Sequence, residues 1–206
     1  MKKILVHGSG HKASSWNETI SYMKDSGEVL CPNLFSILNG KEPTYDNLFA
    51  SFAEYCNQID GPIHLCGLSL GGILALQYAL DFPDKVKTLV LIGTPHKMPK
   101  VMLAVQNIVF RFLPKSVFDN MEFSKKDIFT LEKSMKDLDF RGKVKNIACP
   151  TLSVCGKNDS ANMKSALYFS ENIPGAKLEI PENTGHIVNE ENPRALAKLL
   201  DEFFAD

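Results

Sequence analysis

Cys66-Gly67-Leu68-Ser69-Leu70-Gly71-Gly72 is the stretch of sequence that decides the fold. Residues 62–66 form a short apolar run, and residues 70–80 are rich in Ala, Leu and Ile. This order predicts a strand that turns sharply into a buried helix, with Ser69 at the corner. The G-x-S-x-G spacing is that of a nucleophile elbow, in which a strained serine backbone lifts the hydroxyl clear of the sheet.

Steric crowding explains why glycine occupies the positions on both sides of Ser69. A strand and a helix approach closely at such a corner, so we expect Gly67 and Gly71 to remove a collision between side chains. The helix would present its free N–H groups and positive dipole end to the serine, where an oxyanion would form. The alternative is a glycine-rich turn with an idle serine, and the flanking strand and helix favour the nucleophile.

Length, composition and charge narrow the class of protein. The chain has 206 residues, of which 44% are hydrophobic and 23% charged, as expected for one soluble globular domain. The net charge of -1 gives no electrostatic case for nucleic acid or an anionic membrane as a partner. The apolar run at residues 4–6 is too short for a signal peptide, and we expect no membrane insertion because no stretch approaches transmembrane length.

The cysteines are widely spaced, odd in number and mostly inside apolar runs. This pattern favours reduced core cysteines over disulfides or a zinc site, so we expect a cytoplasmic protein without a metal. They are Cys31, Cys56, Cys66, Cys149 and Cys155.

Short strands and helices alternate along most of the chain, which predicts a parallel sheet covered on both faces. The predicted strands are residues 2–6, 29–32, 62–66, 86–92, 149–155 and 176–180, and the predicted helices are residues 16–24, 45–59, 70–80, 163–171 and 193–204. Residues 33–44 are predicted to be a loop, and residues 96–145 break the alternation. In parallel sheets, function gathers beyond the carboxyl ends of the strands. The candidates there are residues 7–10, Ser69, Asp159 and His186.

Three of these candidates form a possible catalytic set. A serine hydroxyl needs a base within hydrogen-bond reach, and the base needs an acid to orient it. His186 follows a predicted strand and lies in a loop, although an exposed loop histidine is the alternative interpretation. Asp159 has the same strand-end position one unit earlier, although it could simply form a turn. The order Ser69, Asp159, His186 is the order of the elbow-containing hydrolases.

An oxyanion site needs two backbone donors. One should be the N–H of Leu70, directly after the nucleophile, and the other should come from the loop after the first strand. Ser9 is the favoured donor there and Gly10 is its competitor, while Gly8 and Gly10 let the backbone come close to substrate. We expect His7 to hold this loop and not to act as a second base.

Together these motifs resemble the α/β-hydrolase superfamily, and in particular its compact serine esterases. The resemblance implies a single domain over residues 1–206, with about six mostly parallel strands flanked by helices and a helical lid insertion at about residues 96–145. It also implies acyl-enzyme chemistry without a cofactor. Because the usual first antiparallel strands of the family are not evident, we expect all strands to be parallel. The matching pieces are His7-Gly8-x-Gly10, Gly67-x-Ser69-x-Gly71-Gly72, Gly156-x-x-Asp159 and Gly185-His186-x4-Glu191-x-Pro193.

The lid carries the predicted acyl-binding surface. Its apolar residues either line a pocket or pack on the core, and its basic residues either attract an anionic substrate or form a solvated face. We predict that a small-molecule ester or acyl substrate contacts Leu103, Phe112 and Phe118, together with Gly8 and Gly10.

The leading functional hypothesis is hydrolysis of carboxylic esters or thioesters of small to medium acyl groups through Ser69. The same three residues would also serve a carbon–carbon hydrolase, a lyase or an acyltransferase, and product analysis separates these. A different class is a ligand sensor that uses a hydrolase pocket and acts through a protein partner. Slow turnover with ligand-dependent partner binding would favour that third interpretation.

Overall fold

The computed structural model describes residues 1–98 and 123–205, and a six-stranded sheet lies at its centre. The order of strands across the sheet is β2-β1-β3-β4-β5-β6, and every neighbouring pair is parallel. This confirms the expected six parallel strands. They are β1 (Lys3–Val6), β2 (Val29–Leu30), β3 (Ile63–Leu68), β4 (Val86–Ile92), β5 (Thr151–Val154) and β6 (Lys177–Glu179).

Helices connect the strands and cover the sheet. The described ones are α1 (Asn17–Tyr22), α2 (Leu34–Ile37), α3 (Tyr45–Asn57), α4 (Leu70–Asp81), α5 (Lys125–Met135), α6 (Ser160–Asn172), α7 (Val188–Glu191) and α8 (Pro193–Ala205). Short 3-10 helices lie at Ala13–Trp16, Pro83–Lys85 and Val144–Asn146. The prediction of a loop at residues 33–44 was wrong at α2. There the side chain of Asn33 accepts a hydrogen bond from the Ser36 N–H and caps a short helix.

The strand residues alternate between two hydrophobic clusters, one on each face of the sheet. In β4, Leu89 and Leu91 face one cluster, whereas Val90 and Ile92 face the other. This alternation is the period of two that a strand imposes, and burial on both faces explains the nearly continuous apolar run. Helices α3 and α4 pack on the first face, and the apolar side of α8 packs on the second.

The register of the sheet brings the ends of its central strands level. Val6 at the end of β1 pairs with Gly67, Leu68 at the end of β3 pairs with Ile92, and Ile92 pairs with Val154. The loops that follow these strands therefore leave the sheet at one edge. That edge is where ligands bind in parallel sheets of this kind.

The segment predicted as a lid is described only in part. Lys97 forms an isolated antiparallel bridge with Asp139, and α5 begins with a capping box in which Ser124 and Asp127 satisfy each other's backbone N–H groups. One face of α5 is buried in the first hydrophobic cluster. Residues 99–122 lie outside the described part, so the lid and the single-domain assignment stay predictions. Over the described residues, no helix has the length and apolar character needed to cross a membrane.

Candidate active site

Ser69 stands at the corner between β3 and α4 in a strained backbone conformation. Its φ is 53° and its ψ is -112°, a region that residues with a side chain rarely adopt. The Ser69 N–H donates a hydrogen bond to the Ile92 carbonyl at 2.8 Å, which fixes the corner to the neighbouring strand. Ser69 is partly exposed and directly follows the last residue of β3, so it stands at the carboxyl edge of the sheet.

The glycines around Ser69 are required by close backbone packing. A Cβ on Gly67 would collide with the carbonyl of Gly71, and a Cβ on Gly71 would collide with the carbonyl of Val6. A Cβ on Gly72 would collide with the side chain of Thr94. Glycine at positions 67 and 71 therefore avoids a collision, as predicted, and the atoms that a side chain would meet belong to the backbone.

His186 and Asp159 meet at the same edge. His186 Nδ1 lies 2.7 Å from Asp159 Oδ2. The Asp159 side chain is only 4% exposed, whereas that of His186 is 39% exposed. A carboxylate accepts hydrogen bonds, so the geometry places the proton on Nδ1 and leaves Nε2 of the neutral ring as an acceptor.

Asn162 is a second donor to the same carboxylate. Its Nδ2 lies 3.1 Å from Oδ1 and 2.9 Å from Oδ2 of Asp159, and its backbone N–H donates to Oδ1 at 3.3 Å. Burial alone would raise the pKa of Asp159, but hydrogen bonds from His186 and Asn162 and the charge of His186 outweigh it and lower the pKa. Asp159 therefore stays ionised at neutral pH.

The loop that carries His186 is braced by Glu191. The carboxylate of Glu191 accepts the N–H of Gly185 at 2.6 Å and the N–H of Ile187 at 3.1 Å. A Cβ on Gly185 would come within 3.0 Å of both Glu191 carboxylate oxygens. The backbone on each side of His186 is thus held by one side chain.

Gly93 packs directly against the His186 ring. Its φ is +52°, and a Cβ at this position would lie 2.8 Å from His186 Nδ1 and 3.3 Å from Asp159 Oδ2. The residue before it, Ile92, accepts the N–H of Ser69. The end of β4 and the residue after it therefore contact Ser69 on one side and His186 on the other.

In the described part of the chain, no hydrogen bond joins the Ser69 hydroxyl to His186. Such catalytic hydrogen bonds often tighten only when substrate binds.

The predicted oxyanion loop lies beside Ser69. A Cβ on Gly8 would lie 3.5 Å from Ser69 Cβ, and Ser9 and Gly10 form a partly exposed turn. His7 is fully buried, its Nδ1 donates to the Gly8 carbonyl at 2.8 Å, and its Nε2 accepts the N–H of Leu34 at 3.4 Å. These bonds hold the loop, as expected for His7.

The second predicted oxyanion donor lies at the start of α4. Leu70 is its first residue, and the N–H groups of a first helical turn have no partner within the helix. The structure thus brings both predicted donor segments to Ser69. Whether they act as an oxyanion site stays a prediction.

No cluster of side chains in the described part is a candidate metal centre. Across residues 1–98 and 123–205, no group of three or more His, Cys, Asp and Glu is arranged to hold an ion. The cysteines are free, and four of them are buried. Burial raises the pKa of the Cys155 thiol, the one nearest to Asp159 along the chain, to about 12.

A sequence profile described as "Alpha/beta hydrolase family" matches residues 4–199. The chain belongs to the alpha/beta hydrolase family. Human monoacylglycerol lipase ABHD6 is 20% identical over 252 residues, which cover 98% of this chain and 74% of the lipase. An Escherichia coli 2-hydroxy-6-oxononadienedioate/2-hydroxy-6-oxononatrienedioate hydrolase is 27% identical over 249 residues, which cover 98% of this chain and 86% of that enzyme. The predicted superfamily and the prediction of a hydrolase are confirmed at this level.

Solved structures share the alpha/beta hydrolase fold. MenH from S. aureus matches with a TM-score of 0.80 at 16% identity, covering 99% of this chain and 93% of MenH. The enol-lactonase from Burkholderia xenovorans matches with a TM-score of 0.81 at 19% identity, covering 100% of this chain and 92% of the lactonase. At such identities the likeness shows the fold alone.

Sequence reasoning missed several residues that shape this alpha/beta hydrolase site, and it named others that the structure does not reach. Asn162 could have been found, because it lies three residues after Asp159 in the first turn of α6. The Gly93 contact had no local signal. Glu191 belongs to the quoted motif Gly185-His186-x4-Glu191-x-Pro193, but the motif did not reveal that its carboxylate braces the loop. The predicted acyl-binding residues Leu103, Phe112 and Phe118 lie outside the described residues.

Proposed function

We propose that this alpha/beta hydrolase cleaves carboxylic esters or thioesters of small to medium acyl groups through an acyl-enzyme on Ser69. The observation that carries the proposal is the 2.7 Å contact between His186 Nδ1 and the buried Asp159 carboxylate. It lies at the sheet edge where a strained backbone presents Ser69. A nucleophile, a base and an acid that orients the base are the parts that acyl transfer by a serine requires.

The first half of the reaction forms the acyl-enzyme. His186 Nε2 takes the proton from the Ser69 hydroxyl as the oxygen attacks the substrate carbonyl carbon. Asp159 keeps its hydrogen bond to Nδ1 and balances the charge of the imidazolium. The N–H groups of Leu70 and of Ser9 or Gly10 stabilise the oxyanion. His186 then gives the proton to the leaving alcohol or thiol as the tetrahedral intermediate collapses.

The second half releases the acid. A water molecule loses a proton to His186 Nε2 and attacks the acyl carbonyl. A second tetrahedral intermediate collapses, the carboxylic acid leaves, and the proton returns to the Ser69 oxygen. Gly8 and Gly10 leave room for substrate beside this serine, and the lid at about residues 96–145 would cover the acyl group.

The experiment is a panel of p-nitrophenyl esters of graded chain length, with acyl thioesters beside them. We expect hydrolysis of short to medium chains by the wild type and only background hydrolysis by Ser69→Ala. Ser21→Ala, which changes an exposed serine on α1, is the matched control and should keep the wild-type rate. An active Ser69→Ala variant would overturn the proposal.

A second candidate is cleavage of a carbon–carbon bond by the same three residues. It is favoured by the likeness to the Escherichia coli hydrolase, whose named substrates are oxo-dienedioates and trienedioates and not simple esters. Product analysis separates the two reactions, because only ester cleavage releases an alcohol together with the acid. Turnover of oxo-dienoate substrates, with no turnover across the ester panel, would favour this candidate.

A further inference from the structure

A second histidine lies beside Ser69 and has no part in the mechanism above. His11 follows the predicted oxyanion loop, and its side chain is 19% exposed. A Cβ on Gly8 would lie 3.4 Å from His11 Cδ2 and 3.5 Å from Ser69 Cβ. The His11 ring and the Ser69 side chain therefore flank the same glycine of the predicted oxyanion loop.

Glu190 holds the His11 ring from the opposite side. His11 Nδ1 lies 3.3 Å from Glu190 Oε1, a contact between residues that are 179 positions apart. A carboxylate only accepts hydrogen bonds, so Nδ1 is the donor and Nε2 of the neutral ring is an acceptor. Nε2 is bonded to Cδ2, the ring atom that approaches Gly8, so the acceptor lies on the edge of the ring that faces the predicted oxyanion loop.

The location of this pair indicates which part of a substrate it would meet. Glu190 lies in α7, on the segment that follows His186. The pair therefore joins the loop after β1 to the loop that carries the base. A leaving group must lie next to His186 to receive its proton, and the contact with Glu190 ties His11 to the segment that directly follows His186.

The pair contributes little to stability by itself. The Glu190 side chain is 48% exposed, and ion pairs at exposed sites are weak because water and salt screen them. The pair can have a larger effect on the choice of substrate than on stability. A substrate that lacks the matching polar group leaves the polar group of the protein without a hydrogen-bond partner.

We propose that His11, held by Glu190, is a specificity residue that accepts a hydrogen bond from a hydroxyl group on the leaving alcohol. This inference rests on the proposed ester hydrolysis at Ser69. The preferred substrates are esters whose alcohol carries a second, free hydroxyl close to the ester oxygen. His11 takes no proton from Ser69 and is not a second base.

The test compares hydroxyethyl butanoate with propyl butanoate, two esters that differ by a hydroxyl in place of a methyl group. We expect the wild type to prefer the hydroxyethyl ester in kcat/KM by about fivefold or more, the size of one hydrogen bond. His11→Phe should lower this ratio to about one, and His11→Gln, which keeps an acceptor, should restore part of it. Glu190→Gln should lower the ratio, whereas Glu202→Gln, an exposed control on α8, should leave it unchanged.

Each remaining outcome counts against a specific claim. An unchanged ratio in His11→Phe, with both esters still cleaved, overturns the role of His11 and leaves ester hydrolysis standing. An equal loss of both esters in His11→Gln, with an unchanged thermal unfolding midpoint, points to a part in the chemical step and also overturns it. If the wild type cleaves neither of these esters nor any other ester of the panel, the proposed ester hydrolysis at Ser69 is wrong, and the role of His11 is wrong with it.

Discussion

Nδ1 of His186 lies 2.7 Å from Oδ2 of Asp159, although the two residues are 27 positions apart in the chain. The acid is buried and the imidazole is partly exposed, so one partner is fixed and the other can reach solvent or substrate. Burial would raise the pKa of Asp159, but the donors His186 and Asn162 reverse that effect. The site therefore combines an ionised carboxylate with a histidine whose tautomer it selects.

Replacement of Asp159 by Asn should disable the base without removing the side chain's volume. An amide can donate to Nδ1, which would favour the tautomer with the proton on Nε2, where it cannot accept the serine proton. We expect kcat for ester hydrolysis to fall on the order of 10³-fold or more. Asp139→Asn, at an exposed partner of Arg141, is the control and should keep the wild-type rate. A loss of less than tenfold in Asp159→Asn would contradict the role given to Asp159.

The same carboxylate should make stability depend on pH in a defined direction. Its pKa is lower in the folded protein than in the unfolded chain, so it stabilises the fold above the unfolded value of about 3.9. That contribution is lost as the pH falls through the lowered pKa. We expect the difference in the free energy of unfolding between the wild type and Asp159→Asn, measured with urea, to decrease from pH 6 toward pH 3. An increase toward acid pH would mean that the pKa is raised.

Gly93→Ala should damage the site more than the fold. The added Cβ would lie 2.8 Å from His186 Nδ1 and would force the ring away from Asp159. Gly142→Ala is a matched control, because Gly142 also has a positive φ of +74° but a Cβ there would meet nothing within 4 Å. Both variants should lose about 1 kcal/mol in the free energy of unfolding, and only Gly93→Ala should lose ester hydrolysis. Equal activity in the two variants would show that the Gly93 contact does not position His186.

Glu191→Gln should loosen the loop around His186. A neutral amide has one acceptor oxygen in place of two, so one of the N–H groups of Gly185 and Ile187 loses its partner. We expect kcat to fall about tenfold because the base is less well positioned. Glu182→Gln, which removes an exposed ion pair with Lys157, is the control. A Glu191→Gln variant with wild-type kcat would rule out this bracing role.

The central strands and helices were predictable because their buried positions are occupied by apolar residues in a recognisable pattern. The nearly continuous apolar run at residues 86–92 matches β4, and the Ala-rich and Leu-rich run after Ser69 matches α4 to within one residue. The four-residue helices α2 and α7 were missed because they are too short to show a helical period. Helix α2 depends on one capping bond from Asn33, which no periodicity reveals.

The candidate site was predictable where its residues follow strands. Ser69, Asp159 and His186 each lie just beyond the carboxyl end of a strand, and a parallel sheet brings such ends together. The contacts that refine the site join loops that are distant in sequence, such as His11 with Glu190. They depend on how the loops fold back over the sheet edge, which local sequence does not determine.

The most direct test of the account is the reaction of the folded protein with a fluorophosphonate, followed by mass mapping of the modified peptide. We predict a single adduct on Ser69 in the wild type, and a rate of labelling that falls on the order of 10³-fold or more in His186→Gln. Failure of the wild type to react, or modification of a different residue at the same rate in His186→Gln, would contradict a serine activated by His186 and Asp159.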